Sequence, residues 1–200
     1  AMSAGQSISD LLIEMKSKAA AASDASLDTA SRQALNEDFQ SYASQITSIV
    51  QNASFNGFNL IDGSTTAGIS ALASADGTHR ITVASENMSL GGSIVTVAST
   101  GSISTQAKAS TMIGTVETSL NNVDSALAKL SSGAKKFSIQ STFVSQLSDT
   151  LTTGIGNLVD ADMATESALL TSLQTKQQLG VQALSIANQA PSIALSLFRG

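Results

Sequence analysis

The fold of this chain is decided by residues 116–158, VETSLNNVDSALAKLSSGAKKFSIQSTFVSQLSDTLTTGIGNL. Apolar residues recur here at spacings of three and four, with polar interruptions at Ser141 and Ser148. The repeat contains Val116, Leu120, Val123, Leu127, Leu130, Ala134, Phe137, Val144, Leu151, Ile155 and Leu158. It predicts a helix that begins near Ser104, and about fifty residues at ~1.5 Å each give a rod of ~75–80 Å. Bends or breaks are expected at Gly133, Gly154 and Gly156.

Two shorter helices in the first half of the chain can partner the long one, because a helix of that length needs contacts along its length. The apolar positions of the first are Ile8, Leu11, Leu12, Met15 and Ala19. The second, with Ser26 or Asp24 as its N-cap, has a seam of Leu35, Phe39, Tyr42, Ile46, Ile49 and Ala53. That seam is typical of a coiled coil, although an ordinary amphipathic helix would give the same pattern over three heptads. We expect both helices to lie antiparallel to the long helix.

Asn56-Gly57, between Phe55 and Phe58, predicts a short hairpin or extended loop from Phe55 to Ile61. An isolated hairpin is marginally stable, so we expect the two phenylalanines to pack on the helices. The predicted packing residues of the helical domain are Leu35, Phe39, Tyr42, Ile46, Ile49, Phe55, Phe58, Leu120, Leu127 and Phe137.

Residues 64–101 lack helical periodicity and contain glycine-bearing turns. The runs His79–Ala84 and Ser93–Ala98 read as strands, so this region is predicted to be a small β-rich insertion. The insertion offers no convergent set of acids, bases or metal ligands. His79 beside Arg80 is better explained as a surface pair than as a catalytic one.

Composition argues against several classes of function. The chain has no Cys, one His, and a net charge of −5, which disfavours thiol chemistry, His-rich metal sites and general nucleic-acid binding. Only 12% of residues are charged, against a typical ~25%. Such a surface suits self-assembly, because few charges need to be desolvated. No transmembrane helix and no signal peptide are predicted, and neither are cofactors or enzymatic activity.

The segment 160–200 reads as an amphipathic helical tail that Pro191 interrupts. Leu169, Leu170, Leu173, Leu184 and Ala187 lie near one stripe, and no charged residue occurs between Lys176 and Arg199. Such a segment needs a partner in water.

Three stretches of the chain resemble bacterial flagellin, the subunit of the flagellar filament. They are 26–63, with SLDTASRQALNEDF and SFNGFNLIDGS, the long helix 105–158, and 160–199, with DADMATES and QALSIANQAPSIALSLFR. The motifs in the tail are more specific than any heptad pattern. The resemblance implies a mainly α fold, in which long antiparallel helices form a rod-like coiled-coil domain with a β-hairpin, a small β-rich insertion and a C-terminal amphipathic helical tail.

The resemblance divides the chain into four parts. Residues 1–63 form the N-terminal part of the inner helical domain, with the hairpin at 55–61, and 64–101 form the variable insertion. Residues 102–159 form the long C-terminal helix of that domain, and 160–200 form the core and chaperone-binding tail. The resemblance further implies that the family's N-terminal core segment, which pairs with this tail in the filament, is missing from the sequence.

The resemblance also implies how the chain is used. It predicts self-assembly with other flagellin subunits into an extracellular flagellum for motility, without membrane insertion. Before export the subunit would be cytoplasmic, held by a flagellar export chaperone and passed to the export gate of the type III apparatus. The predicted chaperone and assembly surface consists of Leu169, Leu170, Leu173, Leu179, Leu184, Ile186, Ile193, Leu195, Leu197 and Phe198.

Other classes of function are compatible with the sequence. The chain could be a flagellin-like junction protein, or a cell-surface flagellin homologue that binds a ligand. Failure to form filaments, together with glycan binding through 64–101, would favour that alternative. An enzyme reading would use Asp160, Asp162 and Glu166, but three acids at a helix start are more simply explained by the helix dipole.

Overall fold

The computed structural model of the chain describes residues 1–74 and 78–197, with side chains described up to residue 187. The predicted mainly α fold is confirmed. The elements are α1 (Met2–Ala22), α2 (Thr29–Asn52), β1 (Ser54–Phe55), β2 (Phe58–Asn59), β3 (Ile69–Leu72), β4 (Arg80–Val83) and α3 (Gln106–Leu197). The chain divides into two compact units, Ala1–Val144 and Ser145–Gly200.

A capping aspartate starts α2. Asp28 accepts hydrogen bonds from the Ser31 N–H at 2.9 Å and from the Ser31 hydroxyl at 2.6 Å, which satisfies one of the free N–H groups of the first turn. The predicted cap at Ser26 or Asp24 is therefore wrong. The Asp24 carboxylate accepts from the Ser26 N–H and hydroxyl, both at 2.8 Å, and closes the turn that precedes the helix.

The core of the first unit is built from matching apolar faces on three helices. Helices α1 and α2 bury residues at the same spacing of four, three and four, which places each set on one side of its helix. The buried residues are Ile8, Leu12, Met15 and Ala19 on α1, Phe39, Ala43, Ile46 and Val50 on α2, and Ala109, Val116, Val123, Ala126 and Leu130 on α3.

Contacts between side chains define the directions of these helices. Lys18 of α1 lies 2.7 Å from Asp38 of α2. Towards the C-terminal end of α1, the Ala22 carbonyl accepts from Arg32, which is earlier in α2, so α1 and α2 are antiparallel. Helix α1 is also antiparallel to α3, because Gly5 lies against Leu127 whereas Lys16 pairs with Glu117 at 3.6 Å. It follows that α2 runs parallel to α3, so the expected antiparallel alignment with the long helix is found for α1 and is wrong for α2.

The predicted Asn-Gly turn is present in the β1–β2 hairpin. Asn56 has φ 51° and Gly57 has φ 82°, the left-handed conformations that a tight two-residue turn requires. The predicted packing of Phe55 and Phe58 on the helices is wrong, since these side chains are 88% and 54% exposed. The two residues pair across the hairpin and therefore share a face, whereas Asn59 is on the opposite face and is buried.

Within the described residues of the insertion, 64–74 and 78–101, two strands form a hairpin. The predicted strand at 79–84 is found as β4, which pairs antiparallel with β3 from Ile69↔Val83 to Leu72↔Arg80. His79 is exposed immediately before β4.

The predicted strand at 93–98 is absent, because side chains of α3 take the place of a neighbouring strand. The Thr96 N–H donates to the Ser119 hydroxyl at 3.0 Å, and Asn122 donates to the carbonyls of Ser93 and Ile94, both at 3.2 Å. The alternation of apolar residues over 93–98 comes from packing on the helices and not from strand pairing, because Val95 and Val97 are buried in the helical core.

Helix α3 begins at Gln106, close to the predicted start, and continues to Leu197. The expected breaks at Gly154, Gly156 and Pro191 are not found in this helix. Gly133 has a packing role instead. A Cβ atom built on it would lie 2.6 Å from both Cγ atoms of Val83, so the glycine allows β4 to approach α3 closely.

Candidate assembly surface

Buried asparagines connect the irregular segments to the helices of the first unit. Asn59 donates to the Val50 carbonyl at 2.7 Å and accepts from the Ile61 N–H at 2.9 Å. It thus satisfies one of the free carbonyls at the end of α2 and holds the hairpin against that helix. The sequence motif F-N-G-x-N-L predicted the turn, but this role of its second asparagine was missed.

A second buried asparagine joins α2 to the segment that precedes α3. The Asn36 side-chain oxygen accepts from the Ile103 N–H and from the Ser102 hydroxyl, both at 2.8 Å. A polar residue inside the apolar face of α2 was the sequence signal for such an anchor, because buried polar groups need partners. Both asparagines thus connect irregular segments to α2.

The sequence-predicted packing residues fall into three groups in the structure. Phe39 and Ile46 are fully buried. The partly buried positions against the core are Leu35, Tyr42, Ile49, Leu120, Leu127 and Phe137. Phe55 and Phe58 are exposed and do not belong to this set.

The pKa of three aspartates in the first unit is lowered by hydrogen bonds from neighbouring serines. The Ser31 hydroxyl and N–H lower the pKa of Asp28, and the Ser26 N–H and hydroxyl lower that of Asp24. The hydroxyl of Ser64 lowers the pKa of Asp62 in the same way. These carboxylates are stabilised in their ionised form by the local turns that they close.

The pKa of Lys18 is raised, chiefly by its hydrogen bond to Asp38. The resulting ion pair joins the exposed sides of α1 and α2.

In the second unit, every described side chain of residues 145–187 is exposed. Six residues of the predicted chaperone and assembly surface lie here, each more than half exposed: Leu169, Leu170, Leu173, Leu179, Leu184 and Ile186. The side chains of the other four, Ile193, Leu195, Leu197 and Phe198, lie outside the described residues. An apolar helical surface of this kind is a candidate for binding another helix.

The six described residues are not all on one side of the helix. At about 100° per residue, Leu169, Leu173 and Leu184 lie on one side. Leu179 and Ile186 are seven residues apart and share a position about a third of a turn away. The exposed apolar surface is therefore broad enough to contact more than one helix.

The sequence repeat continues beyond Leu158 and includes three of these six residues, Leu169, Leu179 and Ile186. The same spacing of three and four continues through Asp162, Thr165, Leu169, Ser172, Lys176, Leu179, Ala183 and Ile186. Two charged residues, Asp162 and Lys176, occupy positions that are usually apolar in a coiled coil.

Residues 1–74 and 78–197 provide no group of three or more His, Asp or Glu side chains that could hold a metal ion. Within the same residues, no helix combines the length and the apolar character that crossing a bilayer requires.

Comparison with known proteins identifies the family. Residues 1–66 match the model of the bacterial flagellin N-terminal helical region, and residues 113–198 match that of the bacterial flagellin C-terminal helical region. Flagellin FljM of Caulobacter vibrioides is 53% identical over 199 residues, covering 100% of this chain and 71% of the relative. The chain belongs to the bacterial flagellin family. The flagellin of Brucella melitensis is 37% identical over 212 residues, with 100% of this chain and 73% of the relative covered.

A solved flagellin has the same fold. The crystal structure of Bacillus cereus flagellin matches with a TM-score of 0.58 and 20% identity, over 70% of this chain and 77% of that chain. Family membership makes this flagellin a structural subunit of the flagellar filament that assembles with other flagellin subunits. The packing described above therefore concerns a protein whose function is assembly.

Proposed function

We propose that this flagellin is held before export by a flagellar chaperone that binds the exposed tail, and that it is then passed through the gate of the type III export apparatus into the growing extracellular filament. The observation that carries the proposal is the apolar tail helix, whose described side chains are exposed throughout 145–187. No chemistry on the subunit is required, because both steps use helix packing.

The distribution of charge in the tail supports a helical partner. After Lys176 no charged residue occurs before Arg199, although this stretch contains leucine, isoleucine and valine side chains. At roughly 25 cal/mol for each Å² of apolar surface removed from water, covering such a segment is favourable before the entropy costs of association. A chaperone during export and neighbouring subunits in the filament can cover the same surface at different times.

The proposal can be tested by a pull-down with a candidate flagellar export chaperone. Two chains are compared, one that ends at Val159 and one that ends at Arg199. We expect the chaperone to retain only the longer chain. Equal retention of both chains would rule out the tail as the binding segment.

Paired substitutions then locate the face that is bound. Introducing aspartate at Leu169 and Leu173 places two charges on one side of the helix, and we expect chaperone retention to be lost. The matched control introduces aspartate at Ser167 and Thr171, which have the same spacing on the opposite side. If both double variants lose retention alike, the binding depends on helicity or net charge rather than on the apolar face.

A further inference from the structure

The tip of the β1–β2 hairpin holds an asparagine that is followed by a glycine. Asn56-Gly57 is the single place in the sequence where this pair occurs, and both residues are exposed. Asparagine is a thermolabile residue, because a backbone nitrogen can attack its side-chain amide. Glycine hinders the attack least, since it has no side chain. Apart from its chain neighbours, no described residue places a heavy atom within 4 Å of the position that a Cβ would take on Gly57, so the space around it is open.

Several other asparagines of the first unit are held by hydrogen bonds and are followed by residues with side chains. Asn36 and Asn59 are buried. Asn52 donates to the Ser48 carbonyl at 2.7 Å, and Asn122 donates to two backbone carbonyls, both at 3.2 Å. An amide that is held in this way is a poor target for attack by the next backbone nitrogen.

The closed turn restrains the reaction at Asn56. The φ angles of 51° and 82° at Asn56 and Gly57 are fixed by the pairing of the two strands. Closing a five-membered ring between the Asn56 side chain and the Gly57 nitrogen needs a backbone rotation that this paired turn opposes. The hairpin must therefore open first. Its strands have two residues each, and such a small hairpin is marginal by itself, so local opening costs less than global unfolding.

The Asn59 side chain opposes this opening. Asn59 pairs with Ser54 at the base of the hairpin, so separation of the strands disturbs it. It is buried, donates to the Val50 carbonyl at 2.7 Å and accepts from the Ile61 N–H at 2.9 Å. Breaking hydrogen bonds in a buried site is costly, so this anchor favours the closed turn.

We propose that Asn56 is a site of spontaneous deamidation, and that the Asn59 anchor sets its rate by holding the hairpin closed. In the open hairpin the Gly57 nitrogen attacks Cγ of Asn56. The new C–N bond replaces the bond from Cγ to Nδ2, and the amide nitrogen leaves as ammonia with the proton from Gly57. Water then opens the cyclic imide at either carbonyl, which gives aspartate or isoaspartate at position 56.

Both products change the exposed surface of the hairpin. Each adds a negative charge between Phe55 and Phe58, which are 88% and 54% exposed. Isoaspartate also carries the backbone through its Cβ and so lengthens the two-residue turn. The modification is independent of the proposed chaperone and of the tail helix.

Mass spectrometry of the purified full chain tests the site. The chain is incubated at physiological temperature and pH, digested at intervals, and fragmented to assign each change of mass to a residue. We expect the increase that marks deamidation at Asn56 before any other asparagine, with isoaspartate among the products. Absence of the change at Asn56, or equally fast change at other asparagines, would overturn the proposal.

Two variants test the role of the anchor. Asn59→Ala removes both buried bonds, and we expect deamidation at Asn56 to become about tenfold faster or more. Asn36→Ala is the matched control, because it removes a buried asparagine that bonds to Ile103 and not to the hairpin. We expect it to leave the rate at Asn56 close to that of the parent. Equal acceleration by both variants would show that global unfolding controls the rate, which would contradict the role of Asn59.

Two further measurements do not depend on the folding of these variants. The parent chain in urea represents the open hairpin, and we expect it to react at Asn56 faster than the folded chain. Equal rates would show that the closed turn gives no protection. Gly57→Ala places a methyl group beside the attacking nitrogen, and we expect the modification to be lost over the same period. Unchanged deamidation in this variant would rule out attack by that nitrogen.

Discussion

At the scale of single residues, Asn59 is the anchor of the β1–β2 hairpin. Its side chain is buried and bonds to both the Val50 carbonyl and the Ile61 N–H. Asn59→Ala leaves both groups without their partner, so we expect the free energy of unfolding to fall by about 2 kcal/mol. Urea unfolding measures the loss. The control is Asn52→Ala on the exposed end of α2, where a change below ~0.5 kcal/mol is expected. Equal effects would show that Asn59 is not an anchor.

Gly133 offers a second test at this scale, because it lies against Val83. Gly133→Ala is expected to destabilise the first unit by about 1–3 kcal/mol, since the new methyl group overlaps the valine. Gly114→Ala, on the same helix with open space around it, is expected to be neutral or to stabilise by up to ~1 kcal/mol.

A double-mutant cycle identifies the cause of the Gly133 effect. If overlap with Val83 is responsible, Gly133→Ala combined with Val83→Ala is less destabilising than the sum of the two single changes. Additive thermal or urea unfolding data would contradict this explanation.

At the scale of elements, the start of α2 gives a pH-dependent prediction. Hydrogen bonds from Ser31 lower the pKa of Asp28, so its ionised form stabilises the folded state. This contribution is fully present above the unfolded pKa of Asp28 and is lost as the pH falls through the folded pKa. Asp28→Asn keeps a capping oxygen and removes the titration, so we expect its unfolding midpoint to change less between neutral and acidic pH.

Comparison with Asp28→Ala separates the cap from the charge. The alanine variant lacks both the capping oxygen and the charge. Its unfolding midpoint is expected to be lower at neutral pH than those of the parent chain and of Asp28→Asn. Asp24 and Asp62, whose pKa values are also lowered, keep part of the acid sensitivity in every variant. A thermal unfolding series in which Asp28→Asn retains the full pH dependence of the parent would contradict the role of Asp28.

The helices and their buried faces were predictable from the sequence, because apolar periodicity directly records which side of a helix is covered. Phe39 and Ile46 were identified in this way and are fully buried. The N-cap was harder to locate. Asp24, Ser26 and Asp28 are all suitable capping residues, and the choice depends on the turn by which the chain leaves α1.

The errors occurred where hydrogen bonding connects distant segments. Phe55 and Phe58 looked like core residues by type, but the pairing across the hairpin turns their shared face outward. The alternation at 93–98 resembled a strand, yet its backbone partners come from Ser119 and Asn122 of α3. A local pattern does not contain that information.

At the scale of the whole molecule, the core lies within the first unit. All of the buried apolar residues that form the core cluster come before residue 131. We therefore expect a chain that ends at Val144 to unfold in urea with the same midpoint and the same cooperativity as the first unit of the full chain. Because the chain has no tryptophan, far-UV circular dichroism and the signals of tyrosine and phenylalanine can follow this transition. A large loss of stability on truncation would show that residues 145–200 contribute to the core.

The way in which 93–98 is held has a consequence for subunits at high concentration. A segment of alternating valines in a true strand would present an open ladder of N–H and C=O groups, to which another chain could add. Here the Thr96 N–H and the Ser93 and Ile94 carbonyls are already bonded to α3, and Val95 and Val97 are covered. Side chains of α3 thus protect this segment of the insertion against edge-to-edge aggregation.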